Sequence, residues 1–316
     1  MADFWKNKVV VVTGGTGFLG QALQKFMPAS VKKSHYLGRK KYDLTCKLDA
    51  CDLYHDLKPD ILINLAANVG GIGYNKKHPA TLFYDNFMIG VNLIAAGVEY
   101  GSLSKFVQIG TVCSYPKYTT TPFSELDFWK GYPEETNAPY GVAKKALLVM
   151  LKAYEDQYRF PACYLVLANL YGPNDNFDPS SSHVIPALIK KFIDAVKTKQ
   201  EVVTLWGTGK ATREFLYVED AAKAIIKATE KVTGTFPVNI GTGKEHTIEH
   251  IAAVVSQLCG YKGIIDWDKI NPDGQPRRNL DIRLAQKLLN LKTNTPLLTG
   301  LKRTIAYYEK EILHSN

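Results

Sequence analysis

Tyr140 and Lys144 stand four positions apart in the run Asn137-Ala138-Pro139-Tyr140-Gly141-Val142-Ala143-Lys144. Pro139 suits the first turn of a helix, where its missing N–H costs nothing, so the phenol and the ammonium are expected one turn apart on one face. A cation beside a phenol favours its ionised form and moves the hydroxyl toward a pKa useful for proton transfer at neutral pH. On spacing alone, two ordinary surface side chains are the commoner outcome. The rest of the chain has to decide.

Further groups able to do chemistry are Thr111, Cys113 and His183. A threonine hydroxyl can hydrogen-bond a substrate oxygen beside a tyrosine, and a cysteine near positive charge can exchange a proton with carbon. Histidine titrates near neutrality with little tuning. Singly, the commoner reading of Cys113 is a buried inert thiol and that of His183 a capping or surface residue.

The elements that must position these groups follow from the hydrophobic pattern. Lys8-Val9-Val10-Val11-Val12-Thr13 is a β-branched run suited to a strand buried on both faces. It leads into Gly14-Gly15-Thr16-Gly17-Phe18-Leu19-Gly20 and a helical pattern from Gln21 to Phe26. Glycines at 14, 17 and 20 let the turn tighten, the backbone approach a pyrophosphate and the helix pack on the strand. The helix N-terminus then offers unpaired N–H groups to the phosphates. The alternative is a tight strand-to-helix turn with no ligand.

A second strand, Ser34 to Gly38, ends in Arg39-Lys40-Lys41 rather than in a carboxylate. Cations there accommodate a ribose 2′-phosphate, which favours NADP over NAD. After Asp43 the next strand, Pro59 to Ala67, ends in Leu65-Ala66-Ala67, where small side chains let a cofactor lie against the sheet. Asn68 to Gly73 reads as a flexible loop and Pro79 to Tyr100 as a helix; Lys105 to Gly110 is a strand opening onto Thr111 and Cys113. The strand and helix alternation predicts an α/β fold, a Rossmann-like doubly wound parallel sheet, with ligands at the carboxyl ends of its strands. The residues expected around the cofactor are Gly14, Thr16, Gly17, Phe18, Leu19, Gly20, Arg39, Lys40, Asp43, Leu65, Ala66 and Ala67.

After Pro173 the pattern turns polar and loop-like before a helix that opens at His183. This predicts a dinucleotide-binding domain over residues 1–173 plus about 215–245, and a smaller C-terminal substrate-binding α/β lobe over about 174–214 plus 246–316. Val202 to Gly207 and Thr212 to Tyr217 read as a hairpin around a glycine turn, and Thr247 as the cap of a helix to Leu258. Arg277 and Arg278, in the turn-rich run Asn271 to Arg278, could grip a diphosphate with two forks.

The 316 residues suffice for one large α/β unit or two lobes. The net charge of +9 is spread along the chain rather than gathered into a basic arm, which argues against a nucleic-acid partner. No apolar run is read as a membrane span, and the N-terminal residues do not form a secretory signal. Five cysteines, Cys46, Cys51, Cys113, Cys163 and Cys259, show no metal-ligand spacing, so no metal site and no structural disulfide is expected. A cytoplasmic setting follows.

With these motifs placed, the chain resembles the extended short-chain dehydrogenase/reductases over nearly its whole length. Within them it is similar to the branch that epimerises and reduces GDP-4-keto-6-deoxyhexoses. The narrower resemblance rests on Val69-Gly70-Gly71-Ile72, Cys113-Ser114-Tyr115-Pro116, the run Asn169 to Phe177, the run Ser182 to Leu188, Arg213-Glu214-Phe215-Leu216 and Asn271-Pro272-Asp273-Gly274. It implies NADP(H) as cofactor, a GDP-sugar substrate and a homodimer. It implies that Tyr140 protonates the C4 oxygen, with Lys144 lowering its pKa and holding the nicotinamide ribose and Thr111 bonding the same oxygen. Cys113 and His183 would serve as base and acid in epimerisation at C3 and C5. His183 would also border the cofactor, and Lys191, Trp206, Arg213 and Arg278 would hold the sugar nucleotide. The alternatives are an epimerase or 4-reductase of another 4-keto sugar nucleotide, as in GDP-colitose synthesis, and a non-catalytic NADP-sensing protein.

Overall fold

The computed structural model describes residues 3–270, 274–292 and 295–313. Asn271, Pro272 and Asp273 of the turn-rich run lie outside the described residues. In chain order the strands are β1 (Val9–Thr13), β2 (Lys33–Leu37), β3 (Ile61–Asn64), β4 (Lys105–Thr111), β5 (Ala162–Leu167), β6 (Asn169–Tyr171), β7 (Val202–Trp206), β8 (Thr212–Tyr217), β9 (Pro237–Ile240), β10 (Glu245–Thr247) and β11 (Ile264–Asp268). The helices are α1 (Phe18–Phe26), α2 (Lys47–Leu57), α3 (Ile72–Lys77), α4 (Pro79–Tyr100), α5 (Ala138–Tyr158), α6 (Val184–Lys197), α7 (Val218–Lys231), α8 (Ile248–Leu258), α9 (Arg283–Leu289) and α10 (Leu297–Tyr307).

Six strands form an all-parallel sheet in the order β2-β1-β3-β4-β5-β9. Helices α1 and α7 pack together, as do α2, α4 and α5. With both faces covered, the central strands can be apolar along their whole length: Val10, Val11, Val12, Ile61, Leu62 and Ile63 are fully buried. The order reverses beside β1, which places the switch point of this Rossmann-like sheet at the glycine turn.

A second hydrophobic core gathers Ile185, Ile189 and Phe192 of α6, Val203 and Leu205 of β7, Ile251 and Val255 of α8, and Leu301 and Ile305 of α10. We place the lobe division between the two cores; Ala285 and Leu289 of α9 join the first.

The expected hairpin is not formed. β7 pairs in parallel with β11, and β8 lies between β10 and β6. Gly207 and Gly209, both at positive φ, turn the chain away, and the Gly207 amide is donated to the carbonyl of Asp268. The two strands are thereby sent to different sheets. The loop expected over Asn68 to Gly73 enters α3 at Ile72. α4 alone among the described residues is long and apolar enough to cross a membrane, and it buries Leu82, Gly90, Leu93, Ile94 and Gly97 in this fold. Thr247 caps α8 as the sequence implies, its hydroxyl accepting from the His250 amide at 3.1 Å.

Candidate active site

Gly14 leaves β1 at φ +65°, and a Cβ there would stand 2.9 Å from the backbone nitrogen of Ala66. At Gly20 a Cβ would stand 2.5 Å from the Gly15 backbone, so α1 can sit against the turn only with hydrogen at that position. Gly17 caps α1 without a side-chain hydrogen bond, and no acidic residue occupies the first turn. The first-turn amides, including those of Phe18 and Leu19, are left to an outside acceptor, which fits a pyrophosphate.

Beside this turn lies a cavity of about 270 Å³ lined by Gly14, Gly38, Arg39, Asp43, Ala66 and Ala67 among others. Arg39 is exposed at its rim, and Lys40 is exposed beside it. Thr16 sits against Gly38, where a Cβ would meet its hydroxyl oxygen at 2.6 Å. Asn68, Asp85 and Ile89 also line the cavity and escaped the sequence reading. The Asn68 side chain donates to Asp85 at 3.0 Å. The available signal was the polar pair Asp85-Asn86 inside the apolar stretch from Leu82 to Ile89.

A buried polar chain fixes the strand ends. The Thr13 hydroxyl donates to Asn64 Oδ1 at 2.8 Å, and Asn64 Nδ2 donates to Gln108 Oε1 at 2.9 Å. Asn64 Oδ1 also accepts from the Ala66 amide at 3.2 Å. This holds the turn through Leu65 and Ala66 so that the Ala66 carbonyl accepts from Lys144 Nζ at 3.4 Å. That bond is long, and an ammonium has three donors. Lys144 is only 2% exposed. Burial alone lowers its pKa to about 8.

Tyr140 and Lys144 occupy the first turns of α5, which opens as Pro139 predicts. Gly141, between them, allows a close approach: a Cβ there would stand 2.4 Å from the Cys113 carbonyl oxygen. The Ser114 hydroxyl donates to the Gly141 carbonyl at 2.8 Å. The short turn Val112–Ser114 at the end of β4 is thus fastened to α5, and the Thr111 side chain accepts from the Cys113 amide at 3.2 Å. Tyr140 corrects one expectation. Burial pushes its phenol well above the ordinary range, Cys113 adds to the shift, and a hydrogen bond with the Thr111 side chain opposes it. Desolvation favours the neutral form of each partner, so Tyr140 is a protonated phenol and therefore a proton donor.

His183 caps α6. Its side chain reaches solvent but is closely surrounded by protein, so burial, followed by the charge of Arg278, lowers its pKa. Its loop is clasped to the first lobe: the Gly71 amide donates to the Ser181 carbonyl at 2.9 Å, and a Cβ at Gly71 would stand 2.4 Å from the Ser182 carbonyl oxygen.

The expected pair of arginine forks is not formed. Arg277 pairs with Glu245, while Arg278 turns inward and donates from Nη1 to Cys113 Sγ at 3.3 Å. Arg213 is buried and donates to the carbonyls of Thr212 and Gln275 at 2.8 and 2.6 Å. Lys191 donates to the Thr204 carbonyl at 2.8 Å, and Trp206 is 64% exposed. The described residues contain no cluster of three potential metal ligands.

The model of the NAD dependent epimerase/dehydratase family matches residues 10–241. The probable GDP-L-fucose synthase 1 of Oryza sativa subsp. japonica is 36% identical over 310 residues, covering 98% of this chain and 94% of its own. A solved GDP-6-OMe-4-keto-L-xylo-heptose reductase from C. jejuni superposes with a TM-score of 0.89 at 26% identity, covering 96% of this chain and 98% of its own. A GDP-L-fucose synthetase from Naegleria fowleri bound to NADP gives 0.88 at 25% identity, with 96% and 93% covered.

Proposed function

We propose that this chain, which belongs to the NAD dependent epimerase/dehydratase family, binds NADPH and converts GDP-4-keto-6-deoxy-D-mannose to GDP-L-fucose by 3,5-epimerisation and 4-reduction. Bound NADPH supplies the hydride. The turn Gly14 to Gly20 and the N-terminus of α1 would hold the pyrophosphate, Arg39 the 2′-phosphate and Lys144 the nicotinamide ribose. Tyr140, a neutral phenol, gives its proton to the C4 oxygen as that oxygen gains charge, and Thr111 donates a hydrogen bond to it.

Epimerisation needs the C4 ketone, which acidifies C3 and C5, so it precedes reduction. Cys113 takes the proton from carbon while the C–H electron pair moves onto the ketone oxygen. His183 returns a proton to carbon. The observation that carries this reading is the seat of Cys113 on the turn fastened to the start of α5: a Cβ at Gly141 would stand 2.4 Å from its carbonyl oxygen, its amide donates to the Thr111 side chain at 3.2 Å, and its sulfur accepts from Arg278 Nη1 at 3.3 Å. Reduction alone has no use for a thiol in that position.

The test is incubation with GDP-4-keto-6-deoxymannose and NADPH in D₂O. NADPH oxidation with deuterium at C3 and C5 is expected, and no turnover sinks the reading. Oxidation without deuterium would favour a plain 4-reductase of a related sugar nucleotide, a reading the likeness to a heptose reductase supports. We place the enzyme in the cytoplasm as a homodimer joined through α4 and α5, where Phe83, Tyr84 and Val149 are exposed. A monomer by light scattering at micromolar concentration would remove the dimer.

A further inference from the structure

Arg278 is 6% exposed, and its polar edge is engaged by protein. Its Nη1 meets the Cys113 sulfur at 3.3 Å, and its Nε donates to Gln275 Oε1 at 3.1 Å. Gln275 is itself buried and donates from Nε2 to the carbonyls of Pro116 and Lys117 at 3.3 and 3.2 Å. The network closes on itself: the loop carrying Cys113 fixes Gln275, Gln275 fixes the guanidinium, and the guanidinium meets the sulfur.

The charged surroundings agree with this orientation. Burial works against ionisation of Glu134, but hydrogen bonds from Thr136 and Asn137, and the charge of Arg278, hold its carboxyl below the usual range. Glu134 is thus a carboxylate near the guanidinium. Tyr140 on α5 faces the thiol as a neutral phenol, and Arg278 disfavours charge on His183. Among these groups Arg278 is the cation that touches the sulfur, and a hydrogen bond to a charged acceptor is stronger than one between neutral groups.

We infer that Arg278 is a positioning residue for Cys113: it fixes the sulfur in the cleft and supplies its counter-charge when the sulfur acts as a base, with Gln275 locking the guanidinium. The inference rests on the reading of Cys113 as an epimerisation base. It assigns Arg278 to the chemistry at carbon and not to the GDP phosphates.

The test compares wild type with Arg278→Gln, Arg278→Lys and Gln275→Leu. The rate of Cys113 alkylation by iodoacetamide at pH 7, read by peptide mass spectrometry, needs no sugar. Arg278→Gln is expected to slow it at least about fivefold, with partial recovery in Arg278→Lys, because the lost partner is a charged donor. In the D₂O assay the same variant should lose deuterium incorporation while KM for the GDP-sugar stays within about twofold, since only an interaction with the reacting centre is removed. Equal alkylation rates in all variants overturn the inference. So does a large rise in KM with incorporation per turnover unchanged, the mark of a phosphate ligand. If Arg278→Gln fails to fold by circular dichroism, Gln275→Leu, which keeps the cation but frees it, carries the same comparison. Absence of deuterium from the wild-type product would sink the epimerisation reading, and alkylation would still decide the contact.

Discussion

The ammonium of Lys144 donates to the carbonyl of Ala66 at 3.4 Å across 78 positions of sequence. That contact joins the end of β3, set by Asn64, to the first turns of α5. Because Ala66 offers one acceptor at long range, burial dominates the behaviour of Lys144.

The first prediction follows from that burial. The folded pKa of Lys144 is about 8 against an ordinary 10.5. Between those values the unfolded chain binds a proton that the native one does not, so stability rises with pH across the window. Below pH 8 both states are charged and the full penalty applies. In the absence of cofactor, Lys144→Met should exceed wild type by roughly 2–3 kcal/mol at pH 7, with the difference vanishing near pH 10.5. Urea unfolding at the two pH values checks it; a difference independent of pH would show that the charge is not responsible.

Asp175 gives the opposite slope. Burial raises its pKa to about 7, against a bond from the Asn176 amide that lowers it, and its second oxygen is buried without a partner. From pH 3.8 to 7 the native state holds a proton the unfolded state has lost, so stability falls as pH rises. Asp175→Asn should match wild type near pH 4 and exceed it by roughly 2–4 kcal/mol at pH 7.5. Thermal melts at both pH values report the crossover.

Arg39 should set cofactor choice. Arg39→Ala is expected to weaken NADPH binding about tenfold and leave NADH binding nearly unchanged, because only the former carries the 2′-phosphate. Fluorescence titration with each nucleotide separates the two; equal losses would assign Arg39 a merely structural part.

Gly14→Ala combines a left-handed φ with a Cβ 2.9 Å from the Ala66 nitrogen. Destabilisation of roughly 1–3 kcal/mol is expected, with weakened NADPH binding because Ala66 is displaced. A lower urea midpoint at unchanged m-value is the signature, and an unchanged midpoint would count against the tight turn.

The sequence by itself determined the glycine turn and the helix that carries Tyr140 and Lys144. Both are local: the first needs residues without Cβ at fixed spacing, and the second needs Pro139 and a four-residue period. It also determined the order of the six parallel strands along the chain, because a strand buried on both faces reads as an unbroken apolar run, but not α3 or the docking of α9 on the first core. Only the tertiary structure decided that Arg278 reaches Cys113 across 165 positions. A buried arginine and one free to bind phosphate look alike in a sequence, since the direction of the guanidinium depends on Gln275 and on where its loop docks. The same limit explains the absent hairpin: an apolar strand pattern sets which face is buried but not its partner. Two glycines at positive φ sent β7 to β11 instead. Burial completed the site chemistry: the Tyr140 phenol, expected to be lowered by Lys144, is instead raised, because desolvation is a property of the packed neighbourhood.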